Sequence, residues 1–226
     1  MHINIIYQDD HLVAVEKPSG LFVHPYKAVS NEKTHLMKFV KNQIGKYLYP
    51  LHRLDRPVSG IVIFGLSSEV VAQIKEEWNS DKNIKEYISL VRGHVEINGE
   101  FNFPLKNDKG IPQAARTLYW PLWSNGEYTL VKVQLKTGRQ HQIRRHFSRR
   151  MHQVVGDTGY GKGIINQHFR ENFGLARIFL HAHYLKIFNP MINNHYEFRS
   201  PLPPELQQVL DKLGVGPSWT SGDHDV

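Results

Sequence analysis

The chain has 226 residues, of which 40% are apolar and 11% aromatic, and its formal net charge at pH 7 is +7. This length and composition suffice for one large domain or for two lobes that share a sheet, and they exclude a largely disordered chain. The absence of cysteine excludes disulfide frameworks, thiolate nucleophiles and zinc sites built on Cys, whereas the positive charge and the pI near 9.5 favour a polyanionic partner.

Taken in chain order, the predicted elements mix strands and helices without strict alternation, and no internal repeat is visible. This mixture predicts an α+β fold with a largely antiparallel, mixed sheet flanked by helices. The predicted strands span 3–7, 12–17, 61–64, 85–92, 129–135 and 178–188; the predicted helices span 33–44, 67–78, 139–151 and 204–213.

No targeting or membrane-spanning segment is visible in the sequence, and no function is expected in the C-terminal tail. The first ten residues lack the cationic and long apolar regions of a signal peptide, and no apolar run is long enough to span a bilayer. We therefore expect a cytoplasmic monomer that does not bind membranes. Glycine, proline and acidic residues predict a flexible tail over 214–226, so the predicted catalytic domain spans 1–213.

The stretch from His52 to Gly60 places one carboxylate, Asp55, between Arg53 and Arg56 on a turn that leads into a short apolar strand. A carboxylate there should lie at the rim of a rigid sheet, where catalytic groups are often held. Neighbouring arginines would keep it ionised, which suits a nucleophile or a base. The alternative is that Asp55 only pairs with an arginine to hold the turn.

A basic segment runs from Lys136 to Arg150 and contains six Lys or Arg residues, two histidines and no acidic residue. It covers a predicted strand-to-helix junction, where the helix N-terminus adds its own attraction for anions. Such a segment can contact phosphates or orient a carboxylate, and residue types alone do not decide between these roles. A solvated helix face is the alternative.

Two further patterns are weaker. Tyr87, in Lys85-Glu86-Tyr87, lies on a predicted strand, where tyrosine more often packs than reacts. His181 and His183 lie two residues apart on another strand, but no HExxH pattern or clear carboxylate partner accompanies them, so we expect no metal site.

Together these motifs resemble the RluA family of pseudouridine synthases. His52–Gly60 matches the family's HRLDxxTSG motif, although Val58 stands where Thr is usual, and the opening segment from Tyr7 to Pro25 also resembles the family's start. The remaining matches are Lys85–Tyr87 to KxY, Thr137–His146 to TGRxHQIRxH with Gln140 in place of a common Thr, and Gly156–Gly161 to GDxxYG.

The resemblance implies the pseudouridine synthase fold with a central RNA-binding cleft, and an isomerase, an intramolecular transferase, that needs no cofactor or metal. It implies that Asp55 acts on the ribose as a nucleophile at C1′ or a base at C2′, that Arg144 pairs with Asp55, and that Tyr87 stacks on the uracil. The target base must leave its helix, and Arg53 is expected to enter the vacated space. The expected RNA contacts are Arg53, Arg56, Arg139, His141, Arg145 and Arg149.

The implied substrate is tRNA, with uridine 65 of the T stem as the target. A synthase that acts on ribosomal RNA or on several RNAs is the first alternative, because the catalytic motifs do not encode the target. Two other classes are disfavoured: an RNA-binding module without catalysis should lack Asp55 or Arg144, and both are present. A glycoside hydrolase needs a second, suitably placed carboxylate, of which none is evident, and the arginine-rich motif suits phosphates better.

Overall fold

The computed structural model describes residues 1–25 and 34–216. This part of the chain contains the following elements, in order: β1 (Ile5–Gln8), β2 (Leu12–Lys17), α1 (Leu36–Ile44), β3 (Tyr49–Pro50), β4 (Ser59–Gly65), α2 (Ser68–Glu76), β5 (Ile84–Arg92), β6 (Gly99–Phe101), β7 (Leu105–Lys106), β8 (Pro112–Gln113), β9 (Thr117–Ser124), β10 (Tyr128–Leu135), α3 (Gln142–Arg149), α4 (Gly163–Phe173), β11 (Leu180–Asn189), β12 (Asn194–Arg199) and α5 (Pro204–Leu213).

The first of two compact units comprises Met1–Tyr87 and His181–Ser200. In it β2 pairs antiparallel with β1 and with β4, β3 pairs antiparallel with β4, and β11 pairs antiparallel with β12. A short parallel pairing joins β4 to β11 through Ser59 and Gly60. The apolar core of this unit lies between these strands and α2, and includes Leu12, Ile61, Ile63, Ile74, Ile187 and Phe198.

Gly60 is required where β4 meets β11. Its φ of 118° lies in a region that side chains rarely adopt, and a Cβ on Gly60 would collide with the backbone of Ala182. Only glycine permits this close approach of two strands. The last residue of the motif that begins at His52 is thus explained by packing of the sheet.

The second unit comprises Ile88–Leu180 and the residues from Pro201 onward, so the chain passes between units within β5. In it β9 pairs antiparallel with β10 and β6, and β7 and β8 form a small hairpin. Helices α4 and α5 pack on its core, whose members include Ile88, Leu130, Phe169, Phe179, Leu206 and Val209. Gly174 and Gly214, both left-handed, end these two helices.

The α+β class and the largely antiparallel pairing are confirmed. The expected helix after 139 begins later, at Gln142, because His141 adopts a left-handed φ of 52°. Three long elements were not predicted: β9, which Pro121 and a register shift interrupt, α4, which has no side-chain N-cap, and β12.

Two predictions fall partly outside the described residues. One is the helix predicted over 33–44: residue 33 is not described, and α1 begins at Leu36 with His35 as its N-cap. The tail is the other: Val215 is buried in the core of the second unit, and residues 217–226 are not described. No helix within the described ranges has the length and apolarity to cross a membrane.

Candidate active site

Asp55 lies on a turn directly before β4. The backbone carbonyl of Asp55 accepts a hydrogen bond from the Val58 N–H (3.1 Å), which closes the turn over Arg56 and Pro57. The Asp55 side chain is half-buried and Arg53 is exposed. The carboxylate therefore lies at the rim of the sheet, as the sequence predicts.

The side chain of Lys17 fixes this turn from below. Lys17 is 1% exposed, and its ammonium donates to the backbone carbonyls of Val58 (2.6 Å), Pro18 (2.9 Å) and Arg56 (3.1 Å). An ammonium has three N–H donors and no acceptor, so carbonyl groups are suitable partners. Two of the three carbonyls belong to the turn that carries Asp55.

Arg56 folds back onto the segment that follows Lys17. Its Nε donates to the carbonyl of Gly20 (2.9 Å), its guanidinium lies 5.0 Å from the centre of the Phe22 ring, and its own carbonyl accepts from the Gly20 N–H (2.8 Å). Ser19 adds a hydrogen bond to the Pro57 carbonyl (2.7 Å). These contacts give Arg56 a structural function, and its expected contact with RNA stays a prediction.

Tyr87 lies on β5 and is half-buried. Burial and, second, the negative charge of Asp55 raise the pKa of the Tyr87 phenol above its ordinary value. The electrostatic effect places the phenol and the carboxylate in one neighbourhood of the first unit. A raised pKa keeps the phenol neutral at physiological pH, so Tyr87 offers an aromatic face and a hydroxyl rather than a phenolate.

Trp78 links the segment before Asp55 to the strand that carries Tyr87. The ring of His52 stacks on the Trp78 ring at 5.0 Å, and Lys85 places its ammonium 5.2 Å from the centre of the same ring. Lys85 also donates to the carbonyl of Trp78 (2.9 Å). His52 and Lys85, the first residues of the two motifs, thus both pack on Trp78.

His52 is a neutral hydrogen-bond acceptor. Its Nε2 accepts from the Ile63 N–H (3.2 Å), and burial, followed by the charge of Lys85, lowers the pKa of His52 to about 3. A ring that must accept at Nε2 carries its proton on Nδ1. His52 therefore holds β4 in place and is unsuited to proton transfer near neutral pH.

His181 and His183 also have structural partners. His181 Nε2 donates to the Ser200 carbonyl (3.1 Å), and its Nδ1 accepts from the Ser59 hydroxyl (2.9 Å); His183 Nδ1 donates to the same carbonyl (2.7 Å). Ser59 belongs to the Asp55 motif, so this chain of bonds supports the start of β4. Among residues 1–25 and 34–216, no three or more His, Cys, Asp or Glu side chains are grouped to hold a metal ion.

Arg144 lies in the second unit, in the first turn of α3, and is 7% exposed. Its Nε and one terminal nitrogen donate to the two carboxylate oxygens of Asp157, at 2.8 Å and 2.9 Å. This bidentate pair is the strongest geometry available to a guanidinium. Asp157, within the GDxxYG motif, is the principal site residue for which the sequence predicted no role.

A directed hydrogen-bond chain fixes the start of α3. The Gln142 side-chain oxygen accepts from the Thr137 hydroxyl (2.8 Å), and its nitrogen donates to the Thr117 hydroxyl (2.8 Å). Thr117 in turn donates to His146 Nδ1 (2.9 Å), and His146 Nε2 donates to the Phe103 carbonyl (3.2 Å). Gln142 and His146 are buried, so these polar positions of the motif have structural partners.

Three of the predicted RNA contacts donate to backbone carbonyls around the β7–β8 hairpin. Arg139 Nε bonds to Ala114 (2.8 Å), Arg145 to Lys106 (2.9 Å) and Arg149 to Pro104 (3.1 Å). These bonds hold the hairpin against α3 and leave a positively charged surface there. The remaining predicted contact, His141, shares a hydrogen bond of 3.0 Å with the Tyr160 hydroxyl.

Asp55 and Tyr87 therefore both lie in the first unit, where the charge of the carboxylate acts on the phenol, and Arg144 and its basic neighbours lie in the second. The pairing of Arg144 with Asp55 that the resemblance implies stays a prediction. Lys17 could have been suspected from the sequence as a lysine at the end of an apolar strand. Its three acceptors could not, because two of them lie about forty positions away along the chain.

Comparison with known proteins gives a consistent result. The sequence profile of the RNA pseudouridylate synthase family matches residues 11–149, more than half of the chain. The chain belongs to this family, and the resemblance to RluA-type synthases is thereby confirmed. It is 36% identical to tRNA pseudouridine synthase C of Vibrio cholerae, over 94% of this chain and 96% of that protein, and 33% identical to tRNA pseudouridine synthase C of Haemophilus influenzae, over 94% and 98%.

A solved structure shares the fold. Human RNA Pseudouridylate Synthase Domain Containing 4 superimposes with a TM-score of 0.76 at 24% sequence identity, over 93% of each chain. A second human protein, RNA Pseudouridylate Synthase Domain Containing 1, gives a TM-score of 0.72 at 22% identity, over 92% of this chain and 87% of that one. At these identities the likeness establishes the pseudouridine synthase fold.

Proposed function

We propose that this protein isomerises uridine to pseudouridine in tRNA. The observation that carries the proposal is the neighbourhood of Asp55 and Tyr87, two residues from motifs matched to the family, on a turn and a strand that buried contacts fix. The tRNA substrate is supported by the printed function of relatives that align over nearly the whole chain.

The reaction rearranges bonds within one nucleotide. The bond from N1 to C1′ breaks, the uracil turns, a bond from C5 to C1′ forms, and the C5 proton is lost while N1 gains one. No atom or electron is supplied from outside. The chemistry needs a group that acts on the ribose and a surface that holds the free base while it turns.

Asp55 is proposed to be the group that acts on the ribose, as a nucleophile at C1′ or as a base at C2′. Its turn is closed by a backbone hydrogen bond and supported by the ammonium of Lys17. A preformed carboxylate position lowers the cost of reaching the reactive geometry. Tyr87 supplies the aromatic face on which the uracil stacks, a use of tyrosine that is common toward unpaired bases.

The other proposed site residues belong to RNA binding and orientation. Arg53, exposed next to Asp55, is proposed to enter the space that the target base leaves when it is extruded. Arg139, Arg145 and Arg149 supply positive charge for phosphates from the surface around the β7–β8 hairpin. Arg144 is proposed to take part in catalysis, and its planar two-point donor geometry is one that lysine does not reproduce.

The target is proposed to be uridine 65 of the T stem, with ribosomal RNA or several RNAs as the alternative substrates. Incubation of the purified protein with unmodified tRNA and ribosomal RNA transcripts, followed by chemical adduct formation and primer extension, maps each pseudouridine. A stop confined to position 65 is the expected result. Stops in ribosomal RNA alone would support the alternative, and no stop in any transcript would refute the proposed activity.

The Asp55→Asn variant tests the catalytic group. We expect loss of pseudouridine formation with RNA affinity and thermal unfolding close to wild type, because the amide keeps the shape of the side chain and removes its nucleophilic and basic oxygen. Asp10→Asn, at an exposed position of the same unit, is the matched control and should keep full activity. Substantial turnover by Asp55→Asn would remove this residue from the mechanism.

A further inference from the structure

The segment Gly156–Gly161, for which the sequence predicts no role, contacts the guanidinium of Arg144 through Asp157 and Tyr160. Asp157 is 1% exposed and receives four hydrogen bonds at its carboxylate. Two come from Arg144 and two from the backbone N–H groups of Gly159 (2.8 Å) and Tyr160 (3.1 Å). The carboxylate is therefore held by its own loop as well as by the arginine.

The pKa of Asp157 also indicates that its carboxylate is held in the charged form by Arg144 and the loop. Burial alone would raise the pKa of Asp157, but the hydrogen bonds and charge of Arg144, followed by the two loop N–H groups, outweigh it and lower the pKa below its ordinary value. The charged form of Asp157 is thus favoured, and it is the charged form that pairs with Arg144.

A ring confines the other side of the guanidinium. The Arg144 guanidinium lies 5.0 Å from the centre of the Tyr160 ring, and the Tyr160 hydroxyl shares a 3.0 Å hydrogen bond with His141 Nδ1. His141 itself adopts the left-handed conformation that delays the start of α3. The irregular backbone at the helix start thus places His141 against the residue that packs on Arg144.

The glycines of the segment leave room for this arrangement. A Cβ on Gly159 would lie 3.1 Å from the terminal nitrogen of Arg144 that bonds to Asp157, and a Cβ on Gly161 would collide with the Asp157 carbonyl. Asn166 of α4 closes the loop from below, since its side chain donates to the Asp157 carbonyl (2.8 Å) and accepts from the Gly156 N–H (2.9 Å). Asp157, Tyr160 and Gly161 of the motif thereby each have a physical reason.

We propose that Gly156–Gly161 is an orienting loop for Arg144, in which Asp157 is a positioning residue and Tyr160 restricts the plane of the guanidinium. The two bonds to Asp157 use Nε and one terminal nitrogen, and a guanidinium has five N–H donors in total. The loop therefore sets the direction in which the other donors point. This inference rests on the proposed function, in which Arg144 takes part in the reaction.

Two variants change the orientation of Arg144 by different means. Asp157→Asn keeps the size of the side chain but removes its charge and one of the two paired acceptors. Gly159→Ala leaves Asp157 intact and pushes on the terminal nitrogen of Arg144. The matched controls are Glu205→Gln, an exposed carboxylate of the same unit that pairs with Arg177, and Gly163→Ala, where an added Cβ meets nothing within 4 Å.

The first readout is the single-turnover rate at saturating tRNA, measured beside the dissociation constant for the same RNA. A displacement of about 1 Å in a reacting group can reduce the rate on the order of 100-fold, so we expect a loss of that size for Asp157→Asn and a smaller loss for Gly159→Ala. The dissociation constants of both should stay close to wild type, and both controls should keep the wild-type rate.

The second readout does not depend on activity. In an NMR spectrum of the arginine side chains, the Nε–Hε signal of Arg144 can be identified by its loss in Arg144→Lys. The signal should be sharp and protected from exchange in the wild type, and broadened or lost in Asp157→Asn. A protein that only needs Asp157 for folding would show a lower Tm in this variant with an unchanged signal and rate, and this would overturn the proposal.

The two levels of inference fail in different ways. No pseudouridine from the wild-type protein on any transcript would refute the proposed function, whatever the NMR result. An active wild type with an equally active Asp157→Asn variant would refute the orienting loop and leave the proposed function intact. A lower rate together with an equally weakened RNA affinity would also contradict positioning, because it would place the loop in binding.

Discussion

The most direct test of how the first unit supports Asp55 is the substitution Lys17→Met. Methionine keeps most of the aliphatic volume of lysine but has no ammonium group, so the carbonyls of Pro18, Arg56 and Val58 lose a common donor. Arg56 keeps one partner, because its carbonyl also accepts from the Gly20 N–H (2.8 Å).

Within the part of the chain that the structure describes, the carbonyls of Pro18 and Val58 accept no second backbone hydrogen bond, so the magnitude follows from these two. A buried acceptor left unsatisfied costs about 1–3 kcal/mol, so Pro18 and Val58 together predict a loss of about 2–6 kcal/mol. The variant no longer buries an ammonium, which offsets part of this loss. We expect a net decrease of about 2–4 kcal/mol in the free energy of unfolding.

Urea unfolding at pH 7.5 measures the stability, and the single-turnover rate on tRNA measures the effect on the site. Because the released turn carries Asp55, the rate should fall while the affinity for RNA stays close to wild type. Lys46→Met, an exposed lysine of the same unit, is the control and should change stability by less than about 0.5 kcal/mol. A Lys17→Met protein with wild-type stability and rate would refute the reasoning.

Two further substitutions test the second unit. Burial is the main cause that lowers the pKa of His146 to about 4. The folded state therefore favours the neutral ring, whereas the unfolded chain takes up a proton below about pH 6.5. The contribution of His146 to the free energy of unfolding is complete above pH 6.5, and about 2 kcal/mol of it is lost by pH 5. In urea unfolding from pH 7.5 to 5, His146→Gln should lose correspondingly less stability than the wild type, and parallel curves would contradict the assignment. Arg145→Ala should weaken RNA binding and reduce the salt slope by about 1, unlike Arg170→Ala on the exposed face of α4, and an unchanged slope would remove Arg145 from the interface.

Local sequence patterns predicted the parts of the fold that depend on residues close together in the sequence. Ser67 or Ser68 was expected to cap the helix that follows, and Ser67 accepts a 3.3 Å hydrogen bond from the Val70 N–H. Alternation over 129–135 predicted one apolar strand face, and Val131, Val133 and Leu135 are buried in β10. The missed β12 shows an alternation that was equally readable, with Tyr196 and Phe198 buried between exposed residues. The strand β9 was harder, because Pro121 within a strand is normally evidence against one.

The proposed site residues could be predicted from the sequence, but the partners that hold them could not. A carboxylate between two arginines on a turn is visible in the sequence, and the resemblance to a family added Tyr87 and Arg144. The partners that hold these residues are distant in sequence: Lys17 reaches Val58 across 41 positions, and Arg144 meets Asp157 across 13. Hydrophobic periodicity reports which face of an element is buried, but it carries no information about which polar groups meet there.

The two units hold their charged site residues by the same physical device. In the first, a buried cation, Lys17, fixes backbone carbonyls of the turn that carries Asp55; in the second, a buried anion, Asp157, fixes the guanidinium of Arg144. Buried ion pairs such as Arg144–Asp157 are weak contributors to stability, because their desolvation offsets much of the attraction. An apolar pair at 144 and 157 could fill the same space at similar stability but would fix no direction. Geometry, rather than stability, is therefore the physical reason for a charge at 157. The charge at 17 contributes both, because its partners are backbone carbonyls that no substitution removes. Variants at both positions should reduce the chemical rate far more than the affinity for RNA.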